Sequence, residues 1–419
     1  MPSVTLKLQP ILLLAFVVSA AAGSFKSAIA YRVVTPEPLL PVSGGVGESK
    51  PSTQKQGDLT VRALVLEENG TRVAIVSADF LGFPAILGDR VRAKVKDIPA
   101  ENILIGATHT HSAPDCYGFV QNPADFADNL NYLDGVVQKA ADAINEATAH
   151  LQSGTFRIAS GPAKGKIAYN YYAEQLYDPR CNIIQTFDTN GKIVATLVNY
   201  AVHPEVIGNS QGITSPDLVG PLYDEIQKKT GAPGIFMNSA QGGMVTADNR
   251  LPEKQEARSW PECVRIGTLL ADEALRIVAD GPKKDAGNLY VTSKIVKFPV
   301  ESPLLLAVMK NSPLKYPTSG DNSVTTRMNL INFADAQMIT IPGEALPNIG
   351  YYLKRKMHGK HNFLFGLTND AFGYILTKVD FNSFERYNYV SRTSLGELTG
   401  EILINEALDL VDHSPSLQK

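Results

Sequence analysis

Cysteine is scarce. Only Cys116, Cys181 and Cys263 occur among 419 residues, which allows one intrachain disulfide at most, includes no CxxC pair and excludes a disulfide framework. An excess of either charge is also lacking: 39 Lys and Arg stand against 42 Asp and Glu, with no long basic run, so nucleic acid is not an expected partner. The chain shows no internal repeat and no apolar run long enough to span a bilayer comfortably. What remains is an ordinary globular composition, 44% hydrophobic and 19% charged, with length for one or two domains.

The first thirty residues are of a different kind. Lys7 precedes an apolar run over 11–22 (ILLLAFVVSAAA), followed by small residues and an Ala28-Ile29-Ala30 step. This is the layout of a secretory signal peptide cut near Ala22 or Ala30. It predicts a leader over 1–30, one catalytic domain over 31–419, and a secreted or periplasmic protein.

Hairpins are signalled at Asn69-Gly70 and Asn190-Gly191, each between two β-rich runs. Helical periodicity covers 85–96, 130–151, 253–279 and 345–357. A further helix is predicted from Ser215-Pro216-Asp217 to about residue 229, and a closing one over 391–410. Mixing hairpins with strand-helix-strand segments predicts a mixed α/β fold, a mixed sheet covered by helices with the active site at strand ends.

Several polar groups fall where apolar runs stop: Asp79, His109, His111, His203, Asn238 and Glu344. The run 103–115 (ILIGATHTHSAPD) carries two of them. Side chains alternate along a strand, so His109 and His111 project to one side if the extended conformation persists that far, and Pro114 then turns the chain away. Such a pair either binds a metal or hydrogen-bonds nearby backbone. Strand ends that gather along one sheet edge form crevices, and two imidazoles with a carboxylate and an open position would make a catalytic zinc site.

Five blocks, GATHTHSAPD (106–115), NYAVHPEVIG (199–208), GIFMNSAQGG (234–243), ITIPGEALPNIG (339–350) and NDAFGYILT (369–377), occur in the order of the signature blocks of neutral, non-lysosomal ceramidases. From about residue 31 to 389 the chain resembles the N-terminal catalytic domain of that family. The resemblance implies that His109, His203, Glu344 and Tyr374 are zinc ligands. It also implies that His111 exchanges protons with the reacting centre, so that an N-acyl amide, ceramide or smaller, is hydrolysed by zinc-activated water. Backbone N–H groups at Gly242 and Gly243 would help hold the oxyanion.

Two positions depart from the family. Its catalytic serine aligns with Val245, and a one-residue slide offers the Thr246 hydroxyl instead. Its substrate-side Asn-Arg pair aligns with Asn170-Tyr171, which removes a cation. The family's C-terminal sandwich-like domain has no counterpart in the 30 residues beyond 389. The run 304–309 (LLLAVM) is either core or a lipid-facing lip, which leaves peripheral membrane contact open. Two other readings compete: a secreted binding protein on the same scaffold without turnover, and a metallo-β-lactamase-like hydrolase. The second would need HxHxDH where Ala113 and Pro114 stand.

Overall fold

Alternation decides how the strands are used. Within Ile103-Leu104-Ile105 the two isoleucines pack against helices, while Leu104 faces the opposite way into a core shared between sheets. The computed structural model describes residues 25–119, 123–252, 255–317 and 319–417, so the apolar run 11–22 lies outside the described residues.

The first layer holds strands β1 (Lys26–Val33), β2 (Thr60–Glu68), β3 (Thr71–Ala78) and β4 (Ile103–Ala107). Helices α1 (Ala85–Arg92) and α2 (Ala127–Ala149) cover its outer face. The second holds β5 (Gln152–Pro162), β6 (Arg180–Asp188), β7 (Ile193–Tyr200) and β8 (Gly234–Asn238), under α3 (Val219–Thr230) and α4 (Trp260–Ala279). These eight strands form one sheet in the order β8-β7-β6-β5-β1-β2-β3-β4. The two halves are joined only where Lys26 and Ser27 pair with Ser153 and Gln152. So narrow a joint lets them fold on each other. Ser77 Oγ on β3 donates to Phe236 O on β8 at 2.5 Å, and Arg62 Nη1 on β2 donates to Gly234 O at 3.0 Å.

A separate four-stranded sheet, β9 (Tyr290–Pro299), β10 (Ser323–Phe333), β11 (Ala336–Thr340) and β12 (His361–Phe365), closes the remaining side. Helix α5 (Pro303–Asn311) lies between β9 and β10, α6 (Pro347–Lys356) and α8 (Thr399–Asp412) cover the sheet's outer face, and α7 (Asn388–Arg392) is a single short turn. Leu64 and Ile75, Leu197 and Met237, and Ile331 and Phe365 meet in the central core, one pair from each sheet region.

Every region contains one parallel pair, β3 with β4, β7 with β8, and β11 with β12. Their C-terminal ends are stitched together. Ala107 N–H donates to Leu367 O at 3.1 Å, Gly366 N–H to Asn238 O at 2.9 Å, and the Asn238 amide to Thr108 O at 3.0 Å and Val202 O at 2.7 Å. That convergence is what the strand-end positions required.

The mixed α/β expectation holds. Both hairpins form; at the first, Asn69 (φ 51°) and Gly70 (φ 83°) take the left-handed pair that a two-residue turn needs. The boundary after residue 30 does not mark a structural edge. Strand β1 starts at Lys26, Phe25 is fully buried, and Ala28 and Ala30 pack beneath α2, so a cut at Ala30 would remove part of a core strand. The predicted helix over 253–279 begins only at Trp260. The one predicted from Ser215 begins at Val219, because Asp217 sits at φ 55°. The closing helix over 391–410 is two helices.

Candidate metal centre

His109 and His203 come from loops after β4 and β7, Glu344 from the loop after β11, and Tyr374 from beyond β12. The Asn238 amide bonds that hold Thr108 O and Val202 O fix the spacing of the two histidines one residue further on. Glu344 and Tyr374 are register partners in a short parallel pairing, with Glu344 N–H donating to Gly373 O at 2.8 Å. A Cβ on Gly343 would come within 2.6 Å of Gly373 O, so this close approach requires glycine. His109 sits at φ 75°, a strained setting for a side chain that functional sites tolerate.

The nitrogens are assigned by their partners. His109 Nδ1 lies 2.5 Å from Leu81 O and His203 Nδ1 2.8 Å from Val245 O. A carbonyl oxygen only accepts, so both Nδ1 atoms carry the proton and both Nε2 atoms present lone pairs. Those lone pairs converge on one oxygen, Glu344 Oε2, at 3.4 Å from His109 and 3.0 Å from His203. His111 joins them: its ring centroid is 4.8 Å from that of His109 and 5.7 Å from that of His203. Ligand atoms of the three imidazoles all lie within 4.8 Å of one another.

Charge is unbalanced at this point. Burial works against an ionised Glu344, yet the His109 and His203 rings outweigh it and hold the carboxyl well below the usual carboxylate range. Burial would lower His203 too, but Glu344 reverses the sign and raises it. His111 is held well below the ordinary histidine value by burial first and then by its two neighbours. The rings supply that counter-charge only as imidazolium, protonated at Nε2 as well; as neutral groups they would leave the carboxylate facing two lone pairs, which is a place for a cation. Ligands about 2.0–2.1 Å from a tetrahedral ion stand about 3.3 Å apart, which matches the separations here, so the donor set fits zinc.

No family model matches the chain. A curated neutral ceramidase from Pseudomonas aeruginosa is 24% identical over 215 residues, which span 46% of this chain and 32% of that relative, about a third of its length. A crystal structure of neutral ceramidase from Pseudomonas aeruginosa superposes with a TM-score of 0.74 at 16% identity, covering 95% of this chain and 76% of that one. A ceramidase complexed with C2 gives 0.73 at 17% identity, covering 93% and 75%. The chain has a ceramidase-like fold. The likeness read from the five blocks therefore holds at that level.

Within this ceramidase-like fold the other predicted site residues lie in different settings. Tyr374 stacks on His203 at 6.5 Å between centroids, and its hydroxyl meets Met244 Sδ at 3.3 Å. Gly242 N–H donates to Ala345 O at 3.0 Å, so that group is committed and does not face an oxyanion. Gly243 (φ 65°) packs on Leu346. Val245, at the family's serine position, is a fully buried core residue whose carbonyl fixes His203, and Thr246 is bridged to His203 through the backbone. Asn170 is absorbed in a turn, its amide donating to Leu176 O and its oxygen accepting from Tyr172 and Ala173 N–H. Tyr171 is 62% exposed.

A cavity of about 830 Å³ opens beside the cluster, with His109, His111, Glu344 and Tyr374 in its wall. Leu305, Val308 and Met309 of α5, Ile86 of α1 and Phe119 give it an apolar lining. Sequence reasoning left the 304–309 run undecided between core and lip. It is not core: no residue of α5 is fully buried, and one side of the helix faces the cavity. Sequence reasoning also passed over Glu205, whose Oε2 is 3.4 Å from His111 Nδ1. Only its place just after His203-Pro204 could have drawn attention to it. No helix among the described residues is long and apolar enough to cross a membrane.

Proposed function

We propose that this chain is an exported, zinc-dependent amidohydrolase of the neutral ceramidase kind that cleaves an N-acyl amide, ceramide or a smaller N-acyl amine. The observation that carries the reading is the convergence of His109 Nε2 and His203 Nε2 on Glu344 Oε2, with His109 and Glu344 in the wall of a cavity that has an apolar lining. These three would hold the ion, with the Tyr374 hydroxyl, which now meets Met244 Sδ, as the fourth donor. Zinc held there supplies a Lewis acid and lowers the pKa of a water ligand to about 7.

The protein's own groups do the rest. The cavity takes the acyl chain and excludes bulk water, which leaves the amide carbonyl at the cluster. His111 Nε2, buried and without a hydrogen-bond partner, takes the proton of the attacking water and returns it to the leaving nitrogen, giving a carboxylic acid and a free amine. Thr246 enters no step, since it does not line the cavity. The core valine at the serine position favours a second reading, a secreted binding protein without turnover.

Fatty-acid release from a panel of short and long N-acyl amines decides between the two. Metal-replete protein is expected to turn over part of the panel, chelation to abolish that turnover, and His111→Ala to lower it about 10²- to 10⁴-fold. A metal-replete protein inert across the whole panel would leave the binding reading standing.

A further inference from the structure

His111 is the one imidazole of the cluster whose Nδ1 is not held by the main chain. His109 and His203 commit theirs to Leu81 O and Val245 O, whereas His111 Nδ1 faces the Glu205 carboxylate at 3.4 Å. The separation is built by the backbone. Glu205 N–H donates to His203 O at 3.0 Å in a tight turn at Pro204, and Pro204 O accepts the His111 N–H at 3.1 Å. On either side of His111, Thr110 Oγ1 donates to Ser215 O and Ser112 Oγ to Gly208 O, both at 2.7 Å. The loop that carries Glu205 is thereby tied to the strand end that carries His111.

Among the described residues Glu205 forms no ion pair with lysine or arginine, although its side chain is only 26% exposed; the group it faces is the His111 ring. A contact of 3.4 Å is slightly beyond a hydrogen bond of about 2.7–3.2 Å. Such contacts are often long in unliganded sites and tighten when substrate arrives.

We infer that Glu205 is a positioning residue: its carboxylate accepts the Nδ1–H of His111 and so presents the unprotonated Nε2, which has no other partner, to the reacting centre. The inference rests on the amidohydrolase reading above and adds to it the group that selects the tautomer of the proton carrier. A carboxylate in that place also stabilises the imidazolium formed while the proton is in transit, so its loss lowers turnover more than substrate binding.

Three measurements test this on the full, zinc-loaded chain. Glu205→Ala is expected to lower kcat about 10- to 100-fold with KM changed less than about 2-fold, and Glu205→Gln, which keeps an acceptor oxygen, to recover part of the loss. In a His111→Ala background Glu205→Ala is expected to cost less than about 2-fold more, because the pair acts as a unit. Nitrogen-15 spectra of the imidazoles are expected to show His111 as a single Nδ1–H tautomer, and a mixture after Glu205→Ala, with zinc content unchanged. An unchanged His111 tautomer, or an equal kcat loss with and without His111, overturns the inference. Wild-type protein that hydrolyses no amide would instead overturn the functional reading, and the tautomer spectra would still decide the role of Glu205.

Discussion

Two buried carboxylates in this molecule solve the same electrostatic problem in opposite ways. Asp178 is fully served by protein cations: Lys354 Nζ donates to Oδ2 at 2.8 Å, and Arg180 Nε and Nη2 donate to Oδ1 and Oδ2 at 2.8 and 2.9 Å. Glu344 is met by two imidazoles and by no lysine or arginine among the described residues. The first cluster holds permanent cations, whereas the second is balanced by protons on its imidazoles or, as proposed above, by a metal ion in their place. Burying a carboxylate against groups that are charged only when protonated is a poor device for stability, which favours a functional role for the Glu344 site.

The comparison breaks most visibly if the Glu344 charge is removed. Replacing a group that merely supports a metal ligand costs about 10- to 100-fold in metal affinity, so Glu344→Gln, which removes a ligand charge, is expected to weaken zinc binding more than about 100-fold. Competition with a chromophoric chelator measures this, and unchanged affinity would mean that the carboxylate is not a ligand. Amide hydrolysis should fall in parallel, while the melting temperature of the metal-free protein stays level or rises.

Lys354→Met is expected to do the reverse. It leaves zinc affinity intact and lowers unfolding free energy by about 3 kcal/mol, because Asp178 stays buried with only the more exposed Arg180 beside it. The two members of the pair shift differently. Burial opposes the Asp178 charge, but Lys354 and Arg180 outweigh it and hold the carboxyl below its usual value. Burial outweighs Asp178 at Lys354 and lowers the lysine. The lysine therefore gains nothing by being charged there, and the double change Asp178→Leu with Lys354→Met should recover most of the loss. For Asp178 the sign is that of a depressed carboxylate: its contribution is fully present above about pH 4 and is lost as pH falls through the lowered folded value. Urea unfolding of wild type and double variant across pH 2–6 checks this, with the wild type expected to lose more stability on acidification.

How far the sequence reaches depends on the range of the interaction. The exit of the chain near His109 and His111 was readable because the apolar run and Pro114 are local marks, but alternation does not bring the imidazoles together: the strand ends at Ala107 and His109 is left-handed, at φ 75°. The meeting of His109 with Glu344 was not readable, since it depends on how the first sheet region docks on the separate four-stranded sheet, which no local pattern records. The small residues at Ala28 and Ala30 show how one pattern serves two causes. They imitate a signal-peptide exit, but they are small because α2 packs directly on them. Tyr374 was named only through the likeness of its block, since a buried phenol beside a stacked histidine carries no local mark of ligation. Gly242 was misjudged for a similar reason: glycine permits close approach, and here the approach is to Ala345 rather than to a ligand.

The smallest effect expected concerns the cavity wall, which separates the chemistry of the cluster from the choice of substrate. Ser302 caps α5, its Oγ accepting the Leu305 N–H, and Leu305, Val308 and Met309 then recur at i, i+3 and i+4 on the cavity side of the helix. That stripe has no protein partner covering it fully, which suits a wall that an acyl chain completes. Fully burying a leucine is worth about 1.5–3 kcal/mol, and these side chains are already half-buried, so Leu305→Ser should cost about 1 kcal/mol of acyl binding. The expected signature is a KM for long-chain amides raised roughly 5-fold with kcat unchanged, and no change for acetyl amides too short to reach α5. Equal changes for long and short substrates would show that α5 supports the fold of the cavity rather than touching the chain.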